Sequence, residues 1–386
     1  MRLASRMSLL GTETAFEALA RAKALEAEGR DIIFLGIGEP DFDTPAHIVE
    51  SAKIALDTGY THYVPSAGIT EVRKAVAFDA GRRYNREIPF ENIIITPGGK
   101  PIMFFTILSL IEEGDEVLYP NPGFPIYESM IRFAGGTPIP MQLHERLGYN
   151  PDLKELENQI TSKTKLIIVN SPNNPCGSVI PRTDLQKIST LAKDADAIVL
   201  ADEIYKDFYY EGTHSSITEF PDMWERTIIL DGLSKSYAMT GWRIGFGIFP
   251  DFLVEPITRL VTNSVSCTAA FSQIASVSAL ESSQQPVWDM VAEFKKRRDL
   301  LVDGLNNIPG IKCPMPEGAF YAFPNITGTG YSSEEFERNV LTQTGISLLS
   351  GTSFGKFGEG YVRISFANSQ DNIREALKRL REFLSN

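Results

Sequence analysis

Short apolar runs alternate with amphipathic stretches through the middle of the chain, and the two patterns have different periods. The runs are Asn92–Thr96 (NIIIT), Glu116–Pro120 (EVLYP), Lys165–Asn170 (KLIIVN), Ala197–Asp202 (AIVLAD) and Thr227–Gly232 (TIILDG). None alternates apolar with polar residues, so each predicts a strand buried on both faces, as in a mainly parallel sheet covered by helices. Pro101–Ile111 (PIMFFTILSLI) and Pro181–Asp194 (PRTDLQKISTLAKD), which lie between runs, carry helical periodicity instead. Thr12–Gly29 predicts an amphipathic helix rich in Ala, Leu and Glu, closed by Gly29 as a cap. Ile32–Pro45 (IIFLGIGEPDFDTP) then reads as a short strand entering a loop punctuated by Gly and Pro.

The pattern changes near residue 280. Gln284–Asn307 predicts one long charged helix, followed by short strands at Ala319–Phe323 and Tyr361–Phe366 and helices at Ser333–Thr344 and Asp371–Leu384. The expected division is an N-terminal arm and helix over 1–44 that packs with the small domain, a large domain over 45–282, and a smaller α+β domain over 283–386.

Composition narrows the function classes. With 37 basic and 49 acidic residues the formal net charge is −12. A chain so acidic is a poor partner for nucleic acid or an anionic membrane, which need a basic footprint. Three cysteines, Cys176, Cys267 and Cys313, lie far apart, and His47, His62, His144 and His214 show no metal-ligand spacing. No metal, no disulfide and a reducing compartment are therefore expected. The N-terminal stretch lacks the continuous apolar region of a signal peptide, and no run of about 18 apolar residues exists. The expectation is a cytoplasmic protein that binds neither nucleic acid nor membrane.

Several short motifs carry nothing. Gly36–Gly38 lacks the third glycine and the helix of a dinucleotide fingerprint. Ser353-Phe-Gly-Lys356 matches S-x-x-K, but K-T-G and S-D-N are absent. Asp41 and Asp43, followed by Thr44-Pro45, read as a turn into a helix rather than a metal site.

The informative residues follow the apolar runs, where open α/β sheets place their ligands. Pro97-Gly98-Gly99-Lys100 offers backbone N–H groups at a helix start, which suits a phosphate. Asn170–Gly177 is a loop dense in polar groups, Asp202 and Tyr205 end the fourth run, and Leu233–Arg243 contains Ser234, Lys235 and Arg243. A lysine amine can hold a carbonyl as a Schiff base, an aspartate can keep a pyridine nitrogen protonated, and an arginine can hold a phosphate. Singly, each residue is as well explained by a capped or paired loop. Set in order on successive strand ends, they point to pyridoxal 5'-phosphate.

Eight motifs extend that reading: GIGEPDFDTP, THYVPSAG, TPGGK, NPGFPIYE, SPNNPCG, ADEIY, LSKSYAMTGWRIG and YVRISFA. Through them the chain resembles, over essentially its whole length, the class I, fold-type I aminotransferases dependent on pyridoxal phosphate, and their prokaryotic aspartate and aromatic branch. The resemblance implies an α/β fold: a large domain with a mainly parallel seven-stranded sheet covered by helices, plus a smaller α+β domain. It implies that Lys235 is the Schiff-base lysine and the base that moves the substrate proton, and that Asp202 pairs with the pyridine nitrogen. Tyr205 and Asn174 would contact the ring oxygen. Gly98, Gly99, Lys100, Ser234 and Arg243 would surround the phosphate, and Phe124 would stack on the ring where relatives often have Trp. Arg363 would take the substrate α-carboxylate, aided by Gly38 and Asn174. Tyr63 would reach the phosphate of the neighbouring subunit, implying a homodimer. Gly232 stands where some relatives have a phosphate-binding serine.

The implied reaction is a ping-pong exchange of an amino group between an L-amino acid and a 2-oxo acid such as 2-oxoglutarate. No arginine occurs between Asn263 and Thr268, where some aspartate aminotransferases supply one for the distal carboxylate. Lys100 would favour aspartate and glutamate if it reaches the substrate, and would serve the phosphate otherwise. Aromatic- or alanine-preferring aminotransferases, and a lyase or synthase of the same fold, stand as alternatives. A transcription regulator built on this fold would need a DNA-binding module, for which only about 30 residues precede the first strand.

Overall fold

The computed structural model describes residues 2–11 and 14–385. Helix α1 (Thr14–Ala27) leads to β1 (Ile33–Phe34), α2 (Ala46–Asp57) and α3 (Thr70–Tyr84). Thr12 and Glu13, the expected start of the first helix, lie outside the described residues.

Eight strands then build the main sheet: β2 (Ile93–Thr96), β3 (Glu116–Asn121), β4 (Thr137–His144), β5 (Asn150–Pro151), β6 (Thr164–Asn170), β7 (Ile198–Asp202), β8 (Thr227–Gly232) and β9 (Gly245–Ile248). Their order is β2-β9-β8-β7-β6-β3-β4-β5. The pairs β3–β4, β3–β6, β6–β7 and β7–β8 are parallel. β9 runs antiparallel to both β8 and β2, and the two-residue β5 antiparallel to the end of β4. Setting β5 aside leaves seven principal strands.

The apolar runs became β2, β3, β6, β7 and β8 because helices cover both faces. Helices α4 (Lys100–Leu110), α5 (Ile126–Phe133) and α8 (Asp251–Val265) share one apolar cluster with this sheet. Helices α6 (Leu153–Gln159) and α7 (Arg182–Asp194) close a second. A third joins α2, α3 and α9 (Ala270–Glu281) to β2, β8 and β9.

Besides the two-residue β5, two strands of the main sheet are not legible in the pattern. β4 carries Pro138 and Pro140, and proline is expected only on sheet edges. β3 pairs along one side of β4, while β5 reaches only Leu143 and His144 on the other, so the missing donors cost no ladder bond there. β9 is Gly-Phe-Gly-Ile, in which the glycines dilute the strand signal.

After the long helix α10 (Gln285–Asn306) come β10 (Tyr321–Ala322), α11 (Ser333–Thr344), β11 (Ile346–Ser347), β12 (Leu349–Ser350), β13 (Val362–Ser365) and α12 (Gln370–Ser385). Helix α11 matches its expected bounds because Ser332 and Glu335 form a capping box and Gly345 ends it in the left-handed region. β13 lies between β10 and β12, antiparallel to both. β1 pairs in parallel with β11, and Ile33 and Leu35 join the apolar cluster of this C-terminal region. Among the described residues, no helix is long and apolar enough to cross a membrane.

Candidate active site

β2, β3, β6, β7 and β8 all end at one edge of the main sheet, and antiparallel β9 begins there. The turns that leave this edge border a cavity of about 570 Å³, closed on other sides by α1 and the C-terminal strands. Gly38, Gly99, Lys100, Phe124, Asn174, Asp202, Tyr205, Ser234, Lys235, Arg243 and Arg363 line it. Gly98 lies just behind that lining. Its φ is +86°, and a Cβ there would sit 2.0 Å from Arg243 Nη2, so both the turn and the guanidinium require glycine. Tyr63 stands apart on the surface, 88% exposed.

Asp202 is the electrostatic centre. Its carboxyl is buried, which pushes its pKa up to about 6. The Tyr127 hydroxyl donates to Asp202 Oδ2 at 2.5 Å and the Ile204 N–H to Oδ1 at 3.3 Å; both act in the opposite direction, favouring the anion. The Tyr205 and Tyr321 hydroxyls share a 2.7 Å hydrogen bond, and burial raises the Tyr205 pKa well above its usual value. Tyr321 can come so close only because Gly38 has no side chain: a Cβ would lie 2.1 Å from the phenol oxygen.

Lys235 Nζ donates to the Gly38 carbonyl at 2.5 Å. Arg363 is 4% exposed, donates to Asn174 Oδ1 at 2.9 Å and to the Gly36 carbonyl at 2.5 Å, and lies 4.5 Å from the centre of the Tyr321 ring. The planar donor fork is thus anchored from β13 and aimed into the cavity of the larger sheet.

On the opposite side α4 begins at Lys100 with Pro101 in its first turn, leaving N–H groups unbonded within the helix beside the Gly98–Gly99 turn. Arg243 reaches the same turn, donating to the Thr240 carbonyl at 2.8 Å and the Pro97 carbonyl at 3.3 Å. The Lys100 ammonium lies 5.5 Å from the Phe124 ring centre and 5.6 Å from that of Phe16.

These residues fit pyridoxal 5'-phosphate. A helix N-terminus with an arginine and Ser234 suits a phosphate, and Gly98 leaves the space that the Arg243 guanidinium occupies beside it. A buried carboxyl raised to about 6 by burial suits a protonated ring nitrogen, and the Lys235 amine an aldehyde. Among the described residues, no group of three or more His, Cys, Asp or Glu side chains could hold a metal ion.

Among the lining residues that the sequence pattern does not single out are Phe16, Tyr127 and Tyr321. Tyr127 had a signal, since it lies three residues after Phe124 at the start of a helix that follows β3. Phe16 and Tyr321 had none, because each enters the cavity from an element remote in sequence.

The chain matches the family described as aminotransferase class I and II over residues 30–380. It is 41% identical to an aspartate aminotransferase of Pyrococcus horikoshii over 385 residues, covering 99% of this chain and 97% of that protein. Identity is 39% to aromatic-amino-acid aminotransferase 2 of Thermococcus litoralis, covering 100% of this chain and 98% of the other. Among solved structures, the aspartate aminotransferase of Thermus thermophilus with maleate superposes with a TM-score of 0.95 at 35% identity, covering 99% of this chain and all of that one. Family and fold agree with the chemistry of the cavity: the chain belongs to the class I and II aminotransferases and is a transaminase.

Proposed function

We propose that this transaminase uses pyridoxal 5'-phosphate to exchange the α-amino group of aspartate or glutamate with a 2-oxo acid such as 2-oxoglutarate, by a ping-pong reaction. One observation carries the reading: the Lys235 amine, the raised carboxyl of Asp202 and the anchored fork of Arg363 converge on one cavity. When bound, the cofactor supplies a carbonyl to hold the amino group and an electron-poor ring to accept charge from the substrate carbon. Asp202 holds the ring nitrogen's proton, with Tyr127 keeping the carboxylate oriented. Tyr205 and Asn174 position the ring oxygen, while Phe124 flanks the ring face. Gly98, Gly99, Ser234 and Arg243 hold the phosphate. Arg363 binds the α-carboxylate through two parallel N–H donors and so turns the Cα–H towards Lys235. Lys235 takes the Cα proton of the amino acid and, in the second half-reaction, returns one to the 2-oxo carbon.

Lys100 is assigned to the distal carboxylate of the substrate. Its exposed ammonium lies over the rings of Phe16 and Phe124 among the lining residues, where it can meet a second carboxylate with a charge-assisted bond. The relatives named as aspartate aminotransferases, one solved with the dicarboxylate maleate, support this choice. The exposed Phe16 ring favours a second reading, an aromatic donor, as in the Thermococcus litoralis relative.

The working unit is a homodimer whose partner receives Tyr63. Ile54, Leu56, Tyr60 and Tyr63, on and just beyond α2, are all exposed apolar or aromatic side chains of the kind a subunit interface covers. The domain division at 44 and 282 belongs to the same reading, with 1–44 bound to the C-terminal region through β1 and β11.

Borohydride reduction of the purified protein followed by peptide mapping should place a pyridoxyl group on Lys235. Aspartate and glutamate should convert the bound cofactor's visible absorbance faster than phenylalanine or alanine. A label on another lysine defeats the site assignment, and faster conversion by phenylalanine selects the aromatic reading.

A further inference from the structure

The mechanism leaves unused a network of charges, buried at Lys206 and Asp231 and partly exposed at Asp207 and Arg83, around the turns that carry its side chains. Lys206, next to Tyr205, is 5% exposed, and its Nζ lies 2.8 Å from both carboxylate oxygens of Asp231 and 3.4 Å from Asp207. Asp231 lies in β8, four residues before Lys235, and also accepts the Gly232 N–H at 2.6 Å. Ser236, immediately after Lys235, donates to Asp207 Oδ2 at 2.5 Å. Arg83, near the end of α3, adds a 3.1 Å ion pair to Asp207. Two cations and two carboxylates thus join the turn after β7 to the turn after β8, touching the latter on both sides of Lys235. None of the five residues lines the cavity.

The charges are held by one another. Burial works against the ammonium of Lys206, yet Asp207 and Asp231 outweigh it and leave its pKa above that of an ordinary lysine. Burial likewise opposes the carboxylate of Asp207, but Lys206 and Arg83 hold it well below the usual range. Burial lifts Asp231 to about 6 against the pull of Lys206, so at neutral pH the pair is ionised. Removing Lys206 strands the Asp231 carboxylate, which is 3% exposed, in a medium that solvates it poorly.

We propose that Lys206 is a positioning residue for the transamination site, fixing the spacing between the Tyr205 turn and the Lys235 turn through its simultaneous hold on Asp231 and Asp207. This rests on the function proposed above, in which Tyr205 and Lys235 act on one bound ring. A network that served folding alone would give the same ion pairs, so the test separates geometry from stability. Lys206→Met keeps the length of the stem and removes the charge. Ser236→Ala removes only the hydroxyl bond to Asp207 and leaves every charge in place.

The holoenzymes of wild type and both variants are compared for the dissociation constant of pyridoxal 5'-phosphate, by equilibrium dialysis, and for kcat and KM with aspartate. Lys206→Met should weaken cofactor binding about tenfold or more and lower kcat by about ten- to a hundredfold, the usual consequence of a misplaced reacting group. KM should change less than about threefold, since Arg363 is anchored from β13. Ser236→Ala should shift the same two quantities in the same direction by a smaller factor. A variant that melts earlier but keeps wild-type cofactor affinity and kcat overturns the proposal. If Lys206→Met does not fold, Ser236→Ala decides alone: unchanged values overturn the proposal and reduced ones support it. A wild-type protein that binds no pyridoxal 5'-phosphate defeats the functional reading first and the positioning role with it.

Discussion

Replacing Asp202 by asparagine separates what this carboxylate costs the fold from what it does for the reaction. In the cofactor-free protein, burial raises the carboxyl from 3.8 to about 6 despite the bonds from Tyr127 and the Ile204 N–H. A folded pKa above the unfolded one means that the native state holds the proton more tightly. The associated stability is complete below about pH 4 and is lost as pH rises through about 6. Above that, the ionised group costs about 3 kcal/mol, from about two pKa units at 1.36 kcal/mol each. Asparagine carries no charge and removes this cost. Its amide cannot accept both hydrogen bonds, and the lost one returns about 1 kcal/mol. The variant should therefore be more stable than wild type by about 2 kcal/mol at pH 8, a rise of about 2–4 °C in melting temperature, and by well under 1 kcal/mol near pH 5. Asp231, also raised to about 6, is present in both proteins, and its charge adds to what burial does to Asp202. Loaded with pyridoxal 5'-phosphate, the same variant should lose at least about a hundredfold in kcat, the scale of one preorganised charge in an active site. Paired melts of the cofactor-free proteins at the two pH values, and one turnover assay, test both halves. A variant less stable at pH 8, or a gap that does not change with pH, refutes the electrostatic account. Near-wild-type turnover refutes the assignment of Asp202 to the ring nitrogen.

Arg363→Lys should raise KM for every amino donor by about ten- to a hundredfold with a smaller change in kcat, because an ammonium cannot reproduce two parallel donors; steady-state kinetics with three donors checks it, and an unchanged KM removes Arg363 from the α-carboxylate. Lys100→Ala should lower kcat/KM for aspartate and glutamate by about ten- to a hundredfold while sparing alanine and phenylalanine, the worth of one charge-assisted bond of about 1.5–3 kcal/mol. A uniform loss across donors with weaker cofactor binding would assign Lys100 to the phosphate instead. Mixing Lys235→Ala with Tyr63→Phe should yield hybrid dimers in which one site has both wild-type residues. Activity above that of either parent is expected, and its absence after proven subunit exchange counts against a shared site.

The elements legible in the sequence are those whose signal is local. A strand covered by helices on both faces must be apolar throughout, so β2, β3, β6, β7 and β8 are legible from their runs, β2 even at the end of the sheet, and the residues after four of them point to the ligand-binding edge. Helix α11 could be bounded because Ser332, Glu335 and Gly345 satisfy its terminal N–H and C=O groups from nearby in the chain. β4 and β9 were hidden because one depends on a free edge that tolerates Pro138 and Pro140, and the other on packing that accepts two glycines. Family motifs supplied the roles of Lys235, Asp202 and Arg363, but not the contacts among them. That Tyr127 steadies Asp202, that Tyr321 meets Tyr205 across the missing side chain of Gly38, and that Lys206 holds Asp231 depends on which strands become neighbours. Periodicity sets which face of an element is buried. It contains nothing about strand order or about the pairing of β1 with β11, and these bring residues hundreds of positions apart within hydrogen-bond reach. The kind of sheet and the edge at which the chemistry lies follow from local pattern; the distances across that edge follow from packing alone, because a hydrogen bond depends on the separation in space that packing imposes between segments remote in the chain.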